Sequence, residues 1–268
     1  NSVHGRMPSV LTGANLANRD LMYLGVSGDG DTASIGMGQF AHLMRRGVNM
    51  VYICENNGVY GLTKGQFSAT SDMGSKSKKG VVNTDQPIDL VSVAISLGAT
   101  FVARSFSGDK AQLVPLIRAA MLHEGAALID VISPCVAFNN HDGSSKSYDY
   151  IREHNAVVNR LDFMPKRETI EAEQAPGAVQ EIQLHDGSMV KLARVEDNYD
   201  PSDRGGALAH IAARQAEGEI ATGLLYLNNA SEDLHRHMNT SRTPFNEMGA
   251  QELSPGAQAL EALNATLR

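Results

Sequence analysis

Apolar residues fall along this chain in short runs, each closed by a cluster of Gly, Asp or Asn. Residues 21–27 (LMYLGVS) and 50–55 (MVYICE) are two such runs with β-branched and aromatic members, so both read as buried strands. Between them, residues 35–46 carry Phe40, Leu43 and Met44 at helical spacing and end in Arg45 and Arg46, a charge that suits a helix C-terminus. The pattern predicts a strand, a crossover helix and a second strand. It recurs as a helix over 90–97, a strand over 100–104, an amphipathic helix over 110–123 and a buried strand over 127–133 that stops at Pro134. Such alternation implies an α/β fold, a parallel sheet flanked by helices, with ligands bound beyond the carboxyl ends of the strands.

After about residue 165 the character changes. Residues 167–180 are charged and Ala-rich with little periodicity, and 180–194 place Asp186-Gly187 between two alternating segments, which predicts a β-hairpin. A helix over 203–215, a last strand over 221–227 and a polar tail over 231–268 follow. At the other end, residues 1–11 read as a polar loop already in progress, and the first residue is Asn1, so an N-terminal portion is expected to be missing.

The composition is 42% hydrophobic and 20% charged over 268 residues, which suits a globular fold. The formal net charge of −7, with no basic block beyond the run 76–79, argues against a nucleic-acid partner. The apolar runs are too short to cross a bilayer. Two cysteines among 268 residues exclude a disulfide scaffold and fit a reducing compartment, so the expectation is a cytoplasmic protein without a membrane partner.

Chemistry concentrates at two strand ends. Gly28-Asp29-Gly30-Asp31 follows the first strand and Glu55-Asn56-Asn57-Gly58 the second. In a parallel unit both ends open on one edge, so Asp29 and Asn57 can converge on a hard cation through oxygen, with a diphosphate completing the shell. Glycines there let backbone N–H groups approach phosphate oxygens. Either segment alone is an ordinary turn sequence. Asp31, just ahead of the crossover helix, is expected to cap its first turn. His42 is expected to be a packed or hydrogen-bonded residue of that helix.

The pair matches the spacing of the thiamine-diphosphate motif. The longer run of Gly-Asp-Gly-Asp, then Asn56-Asn57-Gly58-Val59-Tyr60-Gly61-Leu62-Thr63-Lys64-Gly65-Gln66 and Ser68-Ala69-Thr70 resembles the β subunits of 2-oxoacid:ferredoxin oxidoreductases. The likeness runs from His4-Gly5-Arg6 to at least Glu153 and returns at Asp200-Pro201-Ser202-Asp203-Arg204. It implies a thiamine-diphosphate/Mg²⁺ domain over 1–164 and a C-terminal extension over 165–268 whose tail contacts another subunit. It also implies that Asp29, Asn57 and the Val59 carbonyl ligate Mg²⁺, that Gly28, Gly30 and Gly58 line the diphosphate, and that His4 lies near the thiazolium. Leu62 and Lys64 would face the substrate side chain. A lysine there can pair with the distal carboxylate of 2-oxoglutarate, which pyruvate lacks.

Cys135, in Ser133-Pro134-Cys135, would be the last of four thiolates on a [4Fe–4S] cluster by the same resemblance, the other three lying upstream of this chain. Cys54 cannot substitute, because it falls within a buried strand. The implied activity is oxidative decarboxylation of a 2-oxoacid, most specifically 2-oxoglutarate, with acyl transfer to coenzyme A and electrons passing to ferredoxin. The implied partner is an α subunit that supplies the carboxylate activating the thiamine ring. A pyruvate or broad 2-oxoacid enzyme, a non-redox thiamine decarboxylase and a non-catalytic binding module are the alternatives.

Overall fold

The computed structural model describes residues 2–77, 79–161, 179–183, 189–193, 199–254 and 256–267. Helix α1 (Met7–Ala17) leads into strand β1 (Leu24–Gly28), a π-helical segment (Gly30–Ile35), α2 (Met37–Arg46) and β2 (Met50–Asn56). The two-residue strands β3 (Val59–Tyr60) and β4 (Gln66–Phe67) follow, then α3 (Leu90–Leu97), β5 (Phe101–Phe106), α4 (Lys110–Leu122) and β6 (Ala126–Ile132). The remainder comprises α5 (Tyr148–His154), β7 (Asn155–Val157), β8 (Val179–Gln183), β9 (Met189–Ala193), α6 (Arg204–Ala216), β10 (Ile220–Leu227), α7 (Leu234–Met238), α8 (Ala250–Leu253) and α9 (Gly256–Thr266).

Six strands form one sheet in the order β1-β2-β6-β5-β10-β7, parallel at every pairing except β10 against β5. Alternation along each strand sorts the core onto two faces. Tyr52 and Cys54 of β2 and Leu128 of β6 pack with Phe40, Leu43 and Met44 of α2 and with Leu90 and Ile95 of α3. Their sequence neighbours Val51 and Ile129 point the other way and pack with Leu116 of α4. Both faces are covered, which is why these strands read as continuous apolar runs. Each such side chain, fully withdrawn from water, stabilises the fold by roughly 1.5–3 kcal/mol.

The antiparallel pair β8 and β9 forms the expected hairpin, Val179 opposite Ala193 and Gln183 opposite Met189, while its Asp186-Gly187 turn lies outside the described residues. Strand β10, from the C-terminal part of the chain, joins the same sheet as the first part.

Two local expectations are corrected. Residues 7–11, read as loop, open α1, whose sequence MPSVLTGANLA has poor intrinsic helicity. Tertiary contact holds it instead: a Cβ at Gly25 of β1 would lie 2.4 Å from Met7 Sδ, so the bare glycine lets the helix settle on the strand. The crossover helix begins at Met37 rather than 35, because the chain first makes the π-helical segment Gly30–Ile35. Among the described residues no helix is long and apolar enough to cross a membrane.

Candidate cofactor and metal site

Gly28 of β1 stands opposite Glu55 of β2, and Asn56 of β2 opposite Ile132 of β6, so the three loops that follow these strands leave one edge of the sheet together. Asp29 on the first loop is 1% exposed. Its Oδ2 accepts the Gly58 N–H at 3.1 Å and the hydroxyls of Thr70, at 2.5 Å, and Ser68. Its Oδ1 accepts the Asn57 N–H at 3.3 Å.

The second loop is pinned from both sides. Asn57 Oδ1 accepts the Val59 N–H at 3.0 Å, and the Asn57 carbonyl accepts Asn139 Nδ2 at 2.8 Å. Gly58 sits at φ 75°, where a Cβ would lie 2.8 Å from that Asn139 amide, so a side chain is barred by both conformation and space. Tyr60 donates its hydroxyl to the Gly30 carbonyl at 3.0 Å and fastens one loop to the other.

Over these loops opens a cleft of about 870 Å³, within the range that takes a cofactor. Gly28, Asp29, Asn57 and Val59 line one part of it, and Leu24 and Val26 of the edge strand β1 supply an apolar wall. One buried carboxylate, one carboxamide and a main-chain carbonyl are hard oxygen donors. Asp31 and Glu55 also line the cleft, but among the described residues no group of three or more His, Cys, Asp or Glu gathers, and Asp29 is the buried carboxylate beside Asn57. That set suits Mg²⁺, which takes one or two carboxylates and fills its octahedron from water and phosphate oxygens. A Cβ on Gly28 would meet nothing within 4 Å, which leaves open room beside the metal loop for a diphosphate.

His4 lies at the rim of the same cleft, 80% exposed, with Nδ1 2.8 Å from Asp31 Oδ1. Asp31 also accepts the Gly5 N–H at 2.8 Å and the Ser27 hydroxyl at 2.6 Å. The expected helix cap is therefore wrong. Asp31 lies inside the π-helical segment, α2 has no side-chain cap, and the carboxylate secures the His4-Gly5 loop. His42, expected to be packed, is exposed on α2.

Leu62 lines the cleft and is 95% exposed. Lys64 is exposed too, holds the left-handed conformation at φ 81° and is not among the cleft's lining residues. Cys135, half-buried on the loop after β6, approaches the metal loop closely: a Cβ on Gly61 would lie 3.6 Å from its Sγ. Cys54 is fully buried in β2, and burial pushes its thiol well up, so it stays protonated and unsuited to a metal.

Behind the metal loop runs a polar chain to which the sequence pattern assigned nothing. Asn56 Nδ2 donates to Asp130 Oδ1 at 3.0 Å, and Arg104 Nε donates to Asp130 Oδ2 at 2.9 Å. Arg104 also pairs with Asp89, which accepts Gln215 Nε2 at 3.1 Å. Burial pushes the Asp130 carboxyl up, further than Arg104 draws it down. Burial acts on Asp89 in the same sense, but there the Arg104 guanidinium, together with hydrogen bonds from Ser92 and the Val91 N–H, outweighs it and holds the carboxyl below its ordinary value. The hint in the sequence was a lone Asp and a lone Arg inside apolar strands, where charges are rarely left without partners.

The fold is like that of thiamine-dependent enzymes: the thiamine pyrophosphate enzyme C-terminal TPP binding domain family matches residues 1–131, just under half of the chain. Within that class the chain is similar to β subunits of 2-oxoacid:ferredoxin oxidoreductases. It is 42% identical over 156 residues to the 2-oxoglutarate oxidoreductase subunit KorB of Mycobacterium tuberculosis, covering 58% of this chain and 40% of that one. It is 45% identical over 165 residues to the 2-oxoacid:ferredoxin oxidoreductase subunit beta of a Sulfolobus species, 61% and 52% of the two chains. The chain thus spans about half the length of these curated relatives. A chain of the 2-oxoglutarate:ferredoxin oxidoreductase from Magnetococcus marinus, solved with 2-oxoglutarate, coenzyme A and succinyl-CoA bound, superposes with a TM-score of 0.69 at 28% identity. The match covers 97% of this chain and 73% of that one.

Proposed function

We propose that this chain is the thiamine-diphosphate-binding β subunit of a 2-oxoglutarate:ferredoxin oxidoreductase. The reaction interconverts 2-oxoglutarate, coenzyme A and oxidised ferredoxin with succinyl-CoA, CO₂ and reduced ferredoxin. The observation that carries the reading is the convergence of Asp29 and Asn57 at the ends of paired parallel strands, over a cleft that also holds His4 and Leu62.

Asp29, Asn57 and the Val59 carbonyl hold Mg²⁺, and the Gly28, Gly30 and Gly58 backbone borders the diphosphate. Thiamine diphosphate, when bound, supplies the nucleophilic carbon and electron sink for decarboxylation. The chain's own part is to orient the substrate and exclude water, with Leu24 and Val26 as the apolar wall. Asp31 fixes His4 through Nδ1 and leaves Nε2 available at the rim to carry a proton. Cys135, near Gly61, would supply one thiolate to a [4Fe–4S] cluster, whose chemistry would be one-electron transfer. The almost bare side chains of Leu62 and Val136 at this edge support a site completed by an α subunit. Two unpaired thiols suit the cytoplasm.

A broad 2-oxoacid specificity is the second reading, and the position of Lys64 outside the cleft lining favours it. The test is reduction of ferredoxin or a low-potential dye by the full-length protein with its partner subunit. Reduction should require 2-oxoglutarate, coenzyme A and Mg²⁺-thiamine diphosphate together. Equal rates with pyruvate move the assignment to the broad enzyme, and no reduction with any 2-oxoacid overturns both.

A further inference from the structure

All the short hydrogen bonds on the Asp29 carboxylate fall on one of its two oxygens. Oδ2 takes the Gly58 N–H and the hydroxyls of Ser68 and Thr70, whereas Oδ1 has the 3.3 Å contact with the Asn57 N–H. Three donors on a single oxygen saturate it. The other keeps a lone pair for a cation.

The donors are themselves held. Ser68 Oγ accepts the Thr70 N–H at 3.3 Å, and Thr70 Oγ1, whose single proton goes to Asp29, is packed 3.0 Å from Asn56 Oδ1. The Asn56 amide is fixed by its Nδ2 bond to Asp130, which is fixed in turn by Arg104. Thr70, Asn56 and Asp130 are each buried, at 1%, 4% and 0% exposure, so losing a partner is costly. Thr70, Asn56, Asp130 and Arg104 also line a second cavity, of about 410 Å³, which does not include Asp29. Thr70, hydrogen-bonded to Asp29 and in contact with Asn56, therefore joins the lining of that cavity to the lining of the cofactor cleft.

We infer that Ser68 and Thr70, backed by Asn56, Asp130 and Arg104, are positioning residues that hold Asp29 as a monodentate ligand and so select Mg²⁺ over larger divalent cations. This rests on the reading of Asp29 as a metal ligand. The physical reason is a difference in tolerance. Mg²⁺ demands near-ideal octahedral geometry, whereas Ca²⁺ accepts bidentate carboxylates and irregular shells. A carboxylate with one oxygen tied down cannot swing to offer both. Groups that orient a metal ligand without touching the metal are commonly worth ten- to a hundredfold in affinity.

The experiment titrates Mg²⁺ and, separately, Ca²⁺ into the full-length protein with its partner subunit at fixed thiamine diphosphate, following cofactor binding by calorimetry. Thr70→Val keeps the shape and removes the donor; Thr70→Ser restores the donor. Thr70→Val should weaken Mg²⁺ by roughly tenfold or more and Ca²⁺ by far less, lowering the Mg²⁺/Ca²⁺ ratio, and Thr70→Ser should bring the ratio back. Should Thr70→Val misfold, Arg104→Lys, which keeps the charge and gives up the fixed fork, should lower the ratio in the same sense. A variant that binds both cations more weakly by the same factor, or neither differently, overturns the inference while leaving the metal site standing. Failure of the unaltered protein to bind thiamine diphosphate with either cation overturns the proposed function and this inference together.

Discussion

Arg104 and Asp130 are cross-strand neighbours on β5 and β6, and Arg104 Nε donates to Asp130 Oδ2 at 2.9 Å with the carboxylate wholly out of solvent. The pair is unequal. Burial leaves the Asp130 carboxyl raised in spite of Arg104, whereas Asp89, the second partner of the guanidinium, is lowered by it. Removing charge at one end of this triad should thus differ from removing it in the middle.

Arg104→Met should be the most damaging change, because it strands the buried Asp130 carboxylate and the part-buried Asp89, at about 3–5 kcal/mol. Asp130→Asn should cost far less at neutral pH, since it removes a charge that burial already disfavours. Asp89→Asn should fall between them, with a characteristic pH dependence. A lowered folded pKa contributes stability above the ordinary carboxylate value of about 3.9, and that contribution is lost as pH falls through the folded value. The deficit of Asp89→Asn relative to the parent protein should therefore be full at pH 7 and shrink below about pH 4. Denaturant unfolding at both pH values measures it, and a deficit that grows in acid contradicts the assignment.

Asp29→Asn should abolish Mg²⁺-dependent thiamine diphosphate binding. The side chain is not a free surface carboxylate, as a turn sequence suggests, but a buried acceptor of several donors, so the change should also cost about 1–3 kcal/mol of stability. Calorimetry against thermal unfolding separates the two effects. Unchanged cofactor binding would sink the metal assignment.

Lys64→Met should lower kcat/KM for 2-oxoglutarate by roughly ten- to several-hundredfold, the range for one charged contact of about 1.5–3 kcal/mol, and leave pyruvate little affected. For this the strained loop at φ 81° must bring the ammonium to the substrate once the site is complete. The ratio of the two substrates in one preparation is the readout. Parallel loss of both, or no change in either, removes Lys64 as the selector.

Cys135→Ala in the full-length complex should lower iron content and visible absorption while sparing thiamine diphosphate binding. The thiol sits on the loop after β6, and Asp29 and Asn57, the proposed metal ligands, sit on the loops after β1 and β2. Full iron content in the variant would leave Cys135 a plain buried thiol.

The sequence by itself determined the sheet and singled out the two loops that carry Asp29 and Asn57. Apolar runs bounded by Gly, Asp and Asn placed β1, β2, β5, β6 and β10 within three residues at each boundary; central strands such as β2 and β6 are covered on both faces and need unbroken apolar sequence, whereas β1 turns Leu24 and Val26 into the open cleft. Helix α3 was placed at its observed limits, Leu90–Leu97. Asp29 and Asn57 were legible because parallel pairing obliges both strand ends to open on one edge.

Tertiary structure alone decided the rest. Helix α1 has too little helical propensity to be seen and exists through its packing on Gly25. Asp31 turned from a cap into the anchor of His4 because the chain winds a π-helical segment there, which no local pattern announced. Ser68, Thr70, Asn56, Asp130 and Arg104 come from four separate stretches of chain, and each alone is an unremarkable polar residue. Only the fold brings them out of water onto one another, and a buried hydrogen-bond network has its meaning in that proximity, which period and spacing do not encode.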